Sequence, residues 1–137
     1  MSSARRRSRE LALQGLYQWQ LNDTSAAQVL KNLAEMTGFD KADKVFLESE
    51  LKGAIKEAGR LREALEPLAD RKWNEVSPIE RSILMIGAWE LLHCPDIPYR
   101  ATLNEAIELG KRFGGTEGHK YVNGILEIGR ASCRERV

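Results

Sequence analysis

Apolar residues recur along this chain at helical spacing. In the first such stretch, Ala12, Leu16 and Trp19 share one face of a helix, with Leu13 and Tyr17 beside it. Six further stretches show the same period, and none shows the alternation of a β-strand. The pattern predicts an all-α, single domain of about seven helices.

Capping and stop signals set the boundaries that we expect for these helices. The first is predicted over residues 8–21, and Asp40 is expected to cap the third. A long apolar run follows, which Gly59 is expected to divide into the third and fourth helices. The last helix is predicted to begin near Thr116.

The clearest local signal begins the fifth helix, at residues 77–80. Ser77 suits the N-cap, Pro78 the first helical position, and Glu80 can complete a capping box. The helix that follows is apolar on nearly every side, from Ile79 to Leu92. A helix of this kind lies inside a bundle, so the fifth helix is predicted to be the central one.

Length and composition limit the class of protein. The chain has 137 residues, 42% of them hydrophobic and 30% charged, which is typical of one folded domain rather than a disordered chain. It lacks both an apolar run long enough to span a membrane and the pattern of a secretory signal. Its two cysteines have no metal-ligand or disulfide spacing, so a cytoplasmic location is expected.

Charge is distributed unevenly along the chain. Four arginines stand among the first nine residues: Arg5, Arg6, Arg7 and Arg9. The other 17 of the 21 basic residues face 20 acidic ones, so a basic arm precedes an acidic body. Such an arm suits a phosphate backbone, although a solubilising tail is the alternative. We therefore divide the chain into a basic RNA-binding arm (1–9) and a helical domain (10–127).

The last ten residues, 128–137, do not continue the apolar pattern before them. They read like the translation of a sequencing-adapter oligonucleotide joined after Glu127. We expect this segment to be a non-native read-through tail, and the nucleotide sequence would decide the question.

Residues for catalysis do not form a recognisable group. His93 and His119 have no partners at metal-binding helical spacing. Residues 114–120 resemble a phosphate loop only faintly, because His119 separates Gly118 from Lys120 and no strand precedes them. The sequence therefore indicates neither an enzyme nor a metal or cofactor site.

A second basic and aromatic cluster favours nucleic-acid binding. It comprises Lys111, Arg112 and Phe113, followed by His119, Lys120 and Tyr121. Cations hold phosphates and aromatic rings stack on unpaired bases, as in single-stranded RNA recognition. The alternative is that the rings are core residues and Lys111 is a solvated surface charge.

Three segments together resemble the NusB family of transcription antitermination factors, over nearly the whole chain to about Leu126. They are Ala4-Arg5-Arg6-Arg7-Ser8-Arg9-Glu10 with Leu16-Tyr17-Gln18-Trp19-Gln20, Pro98-Tyr99-Arg100 with Leu103-Asn104-Glu105-Ala106-Ile107-Glu108-Leu109, and His119-Lys120-Tyr121-Val122-Asn123-Gly124-Ile125-Leu126. The resemblance implies two small helical bundles. It also implies binding of single-stranded boxA RNA of ribosomal RNA operons jointly with NusE, a small-subunit ribosomal protein, within an RNA polymerase antitermination complex.

The family's functional residues carry over by position. The resemblance implies an RNA site at Arg5, Arg6, Arg7, Arg9, Lys111, Phe113, Glu117, Lys120 and Tyr121. It implies NusE contacts at Tyr17 and Glu80, although Tyr17 can also pack at a helix crossing and Glu80 can also serve the capping box. Gly110 stands where the family often has alanine, and together with Gly114, Gly115 and Gly118 it is expected to loosen the loop on the RNA side.

Two other classes of function stay open from the sequence. One is a helical protein–protein adapter whose basic arm binds RNA nonspecifically. The other is the truncated N-terminal domain of an RNA methyltransferase, because such enzymes carry the same helical domain. Whether the free protein is a monomer or a homodimer is also open.

Overall fold

The computed structural model describes residues 3–115 and 117–135, with side chains described through residue 129. This part of the chain forms seven α-helices and no β-strand, as predicted. The helices are α1 (Ser3–Asn22), α2 (Ala26–Ala34), α3 (Lys44–Lys56), α4 (Ala58–Leu65), α5 (Pro78–His93), α6 (Tyr99–Phe113) and α7 (Gly118–Glu135). Short 3₁₀ turns are formed by Phe39–Lys41, Glu66–Leu68 and Trp73–Glu75.

Side-chain caps begin three of these helices. The Ser25 and Ser77 hydroxyls and the Asp43 carboxylate each accept a hydrogen bond from the backbone N–H three residues later, at 3.0 to 3.1 Å. The cap predicted at Ser77 is therefore confirmed. The cap predicted at Asp40 is wrong, because Asp40 lies in the 3₁₀ turn before α3 and Asp43 takes that role.

Two other predicted boundaries differ from the structure. The helix expected over 8–21 begins at Ser3. The Ser8 hydroxyl lies 2.7 Å from the Asp43 backbone oxygen and 3.0 Å from that of Ala4, so its one proton joins α1 to the segment before α3. The run from α3 to α4 divides at Glu57 rather than Gly59, which lies inside α4 with open space around it. α7 begins at Gly118, and Thr116 lies outside the described residues.

α7 continues to Glu135 and so includes most of the segment 128–137. The side chains from residue 130 onward lie outside the described residues. The read-through origin of this segment stays a prediction.

The helices form two packed groups that meet at α5. α1, α2 and α3 pack together, and α4, α6 and α7 pack on α5, which also contacts α1 and α3. Leu16, Leu51, Ile83, Leu84 and Leu126 are fully buried where these groups join. Each such side chain contributes roughly 1.5 to 3 kcal/mol by leaving water. The central position predicted for the fifth helix is confirmed.

No helix in the described ranges is long and apolar enough to cross a membrane.

Candidate nucleic-acid interface

Arg9 points into the protein rather than toward solvent. Its Nε and Nη2 donate to the two carboxylate oxygens of Glu90 at 2.8 and 2.9 Å, and both side chains are almost fully buried. The Thr102 hydroxyl donates to the same carboxylate at 2.8 Å. A bidentate pair of this kind fixes the crossing of α1 and α5. Arg9 was predicted to contact RNA; its side chain is only 2% exposed and its guanidinium group is paired with Glu90.

A second carboxyl group, Glu50 of α3, is buried beside Glu90. Among the described residues its oxygens have no hydrogen-bond partner, so burial disfavours a charge there. Burial, together with the neighbouring Glu90 carboxylate, raises the pKa of Glu50 to about 11. We therefore expect Glu50 to be protonated near pH 7.

The neutral state of Glu50 makes stability depend on pH. Its pKa is higher in the folded protein, about 11, than the ordinary value of 4.5 expected after unfolding. Between these values the folded state binds the extra proton, so the free energy of unfolding falls as pH rises, by up to about 1.4 kcal/mol per pH unit. Glu50→Gln should remove this slope and stabilise the protein at pH 8. Urea unfolding at pH 5, 6.5 and 8 tests this; parallel pH profiles for the two proteins would contradict it.

A groove between α1 and α6 carries paired charges of unequal exposure. Arg6 donates to both oxygens of Glu105 at 3.1 and 2.9 Å, and Arg112 pairs with Glu10. The arginine side chains are 55% and 61% exposed, whereas those of Glu105 and Glu10 are 5% and 7% exposed. The carboxylates therefore form the floor of the groove and the guanidinium groups form its outer rim.

The groove has a volume of about 230 Å³. Four cations and three carboxylates line it together with Leu109: Arg6, Arg9, Lys111, Arg112, Glu10, Glu105 and Glu108. An arginine bound to one carboxylate retains N–H groups that can donate to another anion. The rim therefore offers positioned donors to a polyanion such as a phosphate backbone.

The other predicted arm residues flank this groove. The guanidinium carbon of Arg5 lies 4.5 Å from the ring centroid of Phe46, a cation–π contact. Arg7 lies 4.0 Å from Glu10 and beside Gly38. The structure thus holds the arm as the first turns of α1, against α3 and α6.

The predicted residues around the start of α7 form a separate surface. Lys120 and Glu117 are exposed and pair at 3.3 Å. Phe113 is half-buried against the core, and the guanidinium carbon of Arg112 lies 5.5 Å from its ring centroid. Lys111 and Arg112 are the residues of this cluster that line the groove.

Tyr121 combines the two roles that the sequence left open. It packs against the core, and its hydroxyl oxygen is buried without a hydrogen bond among the described residues. Burial raises the pKa of this hydroxyl. The guanidinium carbon of Arg71 lies 4.3 Å from the Tyr121 ring centroid, so a cation covers the ring.

Tyr17 and Glu80, predicted to bind a partner protein, flank the junction of α1 and α5. The Gln20 amide ties these helices by donating to the Pro78 carbonyl and the Ser82 hydroxyl at 3.2 and 2.7 Å. Tyr17 is exposed one turn before Gln20. The Glu80 carboxylate lies near Gly118 of α7, where a Cβ atom would be 3.3 Å from its Oε1.

Gly110 packs closely rather than loosening a loop. It is buried in α6, and a Cβ atom there would lie 2.6 Å from the backbone Cα of His119 in α7. The expectation drawn from the sequence is therefore wrong for this residue. Its lack of a side chain lets α6 and α7 approach each other.

The site also includes residues that were not assigned to it from the sequence. Glu10 and Glu105 form the groove floor, and Arg71 covers Tyr121. A glutamate at a buried helical position is a signal for such pairing, but its partner is distant in sequence. Among the described residues, no three His, Cys, Asp or Glu side chains are grouped to hold a metal ion.

A helical bundle with a charged groove and exposed contact surfaces has the architecture of a binding protein. Comparison with known proteins gives the same class. The model of the NusB family matches residues 6–128. The transcription antitermination protein NusB of Cupriavidus pinatubonensis is 55% identical over 132 residues, covering 96% of this chain and 79% of that protein.

Solved structures agree with the sequence comparison. NusB of T. maritima superimposes with a TM-score of 0.84 at 27% identity, over 96% of this chain and 93% of that one. A structure of the antitermination factors NusB and NusE in complex with dsRNA has the same fold, with a TM-score of 0.85 at 19% identity over 96% and 99% of the two chains. The chain belongs to the NusB family.

The family assignment defines the broad activity. This chain is a transcription antitermination factor and not an enzyme, as the sequence predicted.

Proposed function

We propose that this protein binds single-stranded boxA RNA of ribosomal RNA operons together with NusE, as part of an RNA polymerase antitermination complex. The groove between α1 and α6 is the observation that carries this proposal. Its buried carboxylates hold Arg6 and Arg112 outward, so that these groups are positioned before RNA arrives. Positioned donors lose less conformational entropy on binding than mobile ones do.

The partners are supported by a protein of the same fold, which was crystallised with NusE and an RNA duplex. A single-stranded ligand is favoured here because aromatic residues lie beside the cations. Phe113 and Tyr121 are both partly accessible, and each has an arginine over its ring. Rings and guanidinium planes stack on unpaired bases, which a duplex does not expose.

The binding test uses fluorescence anisotropy. The protein is titrated into labelled boxA RNA, a scrambled RNA of equal length and a boxA duplex, each with and without NusE. We expect the single-stranded boxA RNA to bind best, with a preference that increases when NusE is present. Equal binding of all three RNAs would leave only a nonspecific basic surface, and the adapter function would then be the better assignment.

Arg6→Ala tests the groove directly. Three to four phosphate contacts from Arg6, Arg7, Lys111 and Arg112 predict that log K falls with log salt at a slope of about −2 to −3, at roughly −0.7 per contact. Removing Arg6 should weaken every RNA similarly and reduce the slope by about 0.7. Titrations from 50 to 300 mM KCl measure this. An unchanged slope would remove Arg6 from the interface.

A further inference from the structure

Arg71 and Tyr121 form a stacked pair on the surface near the start of α7. Arg71 belongs to the loop between the 3₁₀ turns Glu66–Leu68 and Trp73–Glu75, and its guanidinium carbon lies 4.3 Å from the Tyr121 ring centroid. The Arg71 side chain is 40% exposed. The stack therefore has an inner member on the core and an outer member that faces solvent.

Tyr121, the inner member of the stack, cannot form a hydrogen bond to RNA through its hydroxyl group. The Tyr121 hydroxyl oxygen is buried, and the ring itself packs against the core. The guanidinium group lies over the ring at stacking distance. A base that approaches Tyr121 on this side therefore meets Arg71 first.

The outer member is held in position. Asp70 accepts a hydrogen bond from Arg71 Nε at 3.0 Å, and this bond raises the pKa of Arg71. Because the contact is made through the edge of the guanidinium group, its outer face stays available for stacking. Exposed Lys72 and Lys120 flank the pair and add positive charge for a nucleic-acid backbone.

The pair also lies beside a predicted partner contact. Glu80 is close enough to act electrostatically on both Arg71 and Tyr121. Glu80, the residue predicted to bind NusE, is therefore near both members of the stacked pair.

We propose that Arg71 is an RNA-binding residue on which an unpaired base stacks, extending the Tyr121–Arg71 pair outward by one layer. This inference rests on the proposed function, since it names a further contact with the same RNA. Stacking on a guanidinium plane requires the planar group of arginine, and the ammonium group of lysine does not supply it.

The experiment compares Arg71→Ala and Arg71→Lys with the unchanged protein, by anisotropy of boxA RNA with NusE present. Arg60→Ala is the matched control, because Arg60 is also exposed and pairs with a neighbouring carboxylate, Glu57, at 3.6 Å. Both Arg71 variants are expected to raise Kd roughly 10-fold, the size of losing one stacked base. Arg60→Ala should leave Kd within twofold of the unchanged protein, and circular dichroism should show the same helix content for all four.

The salt dependence separates stacking from charge alone. Arg71→Lys keeps the charge, so its salt slope should match that of the unchanged protein while its affinity falls. Full affinity in Arg71→Lys, or in Arg71→Ala, would overturn the stacking role. The proposed function fails separately, if the unchanged protein does not prefer boxA RNA or if Arg6→Ala has no effect. No RNA binding by the unchanged protein would overturn both.

Discussion

Replacing Arg9 with alanine is expected to lower the free energy of unfolding by about 3 to 5 kcal/mol. The substitution leaves the Glu90 carboxylate buried without its bidentate partner and Glu105 without one of its two arginines. Most of the loss comes from leaving the Glu90 carboxylate buried without its counterion. In the intact protein, Arg9 Nε lies 2.8 Å from Glu90 Oε2. Urea unfolding followed by circular dichroism measures it, at pH 7 and constant ionic strength.

Arg6→Ala is the control for this prediction. Arg6 binds a carboxylate in the same cluster, but its own side chain is half exposed and Glu105 keeps a contact with Arg9 at 3.7 Å. Removing the Arg6 side chain should lower the free energy of unfolding by less than about 1 kcal/mol, as for other exposed ion pairs. If Arg9→Ala and Arg6→Ala lower the free energy of unfolding by similar amounts, then burial does not determine how much the Arg9–Glu90 pair stabilises the protein.

Gly110→Ala is expected to destabilise the protein by about 1 to 3 kcal/mol, through overpacking. The added Cβ atom would lie 2.6 Å from the His119 Cα atom, and a backbone atom cannot move aside as a flexible side chain can. The gain in helix propensity, up to about 1 kcal/mol, offsets only part of this cost. Thermal and urea unfolding measure the net change.

Gly124→Ala is the matched control for Gly110→Ala. Gly124 is exposed in α7, and a Cβ atom there has no neighbour within 4 Å. The same substitution should therefore stabilise the protein by up to about 1 kcal/mol. If both variants are stabilised, α7 can shift away from α6 at little cost and the close packing at Gly110 is not required.

Local signals were enough to predict most of the fold. The Ser77 cap and the apolar α5 were correctly predicted, because capping and core position depend on residues within one helix. Asp40 and Asp43 are three residues apart and both suit a cap. Only packing of the segment before α3 decided between them, so the boundary prediction failed there.

The site was harder to predict, because its contacts join distant parts of the chain. Arg9 and Glu90 are 81 residues apart, and an arginine-rich start gives no sign of which member turns inward. The glutamates at the apolar positions 50 and 90 were the available signal, since buried carboxyl groups require partners. Arg71 stood alone in a polar loop, and only its position over Tyr121 connects it to the site.

The sharing of Glu105 between two arginines has a kinetic consequence. Glu105 binds Arg6 at the rim and also lies 3.7 Å from the buried Arg9. When a phosphate binds Arg6 as proposed and weakens its bond to Glu105, Glu105 keeps Arg9 as a counterion at 3.7 Å. If RNA binds this groove as we propose, we therefore expect it to exchange without leaving Glu105 as an isolated buried charge.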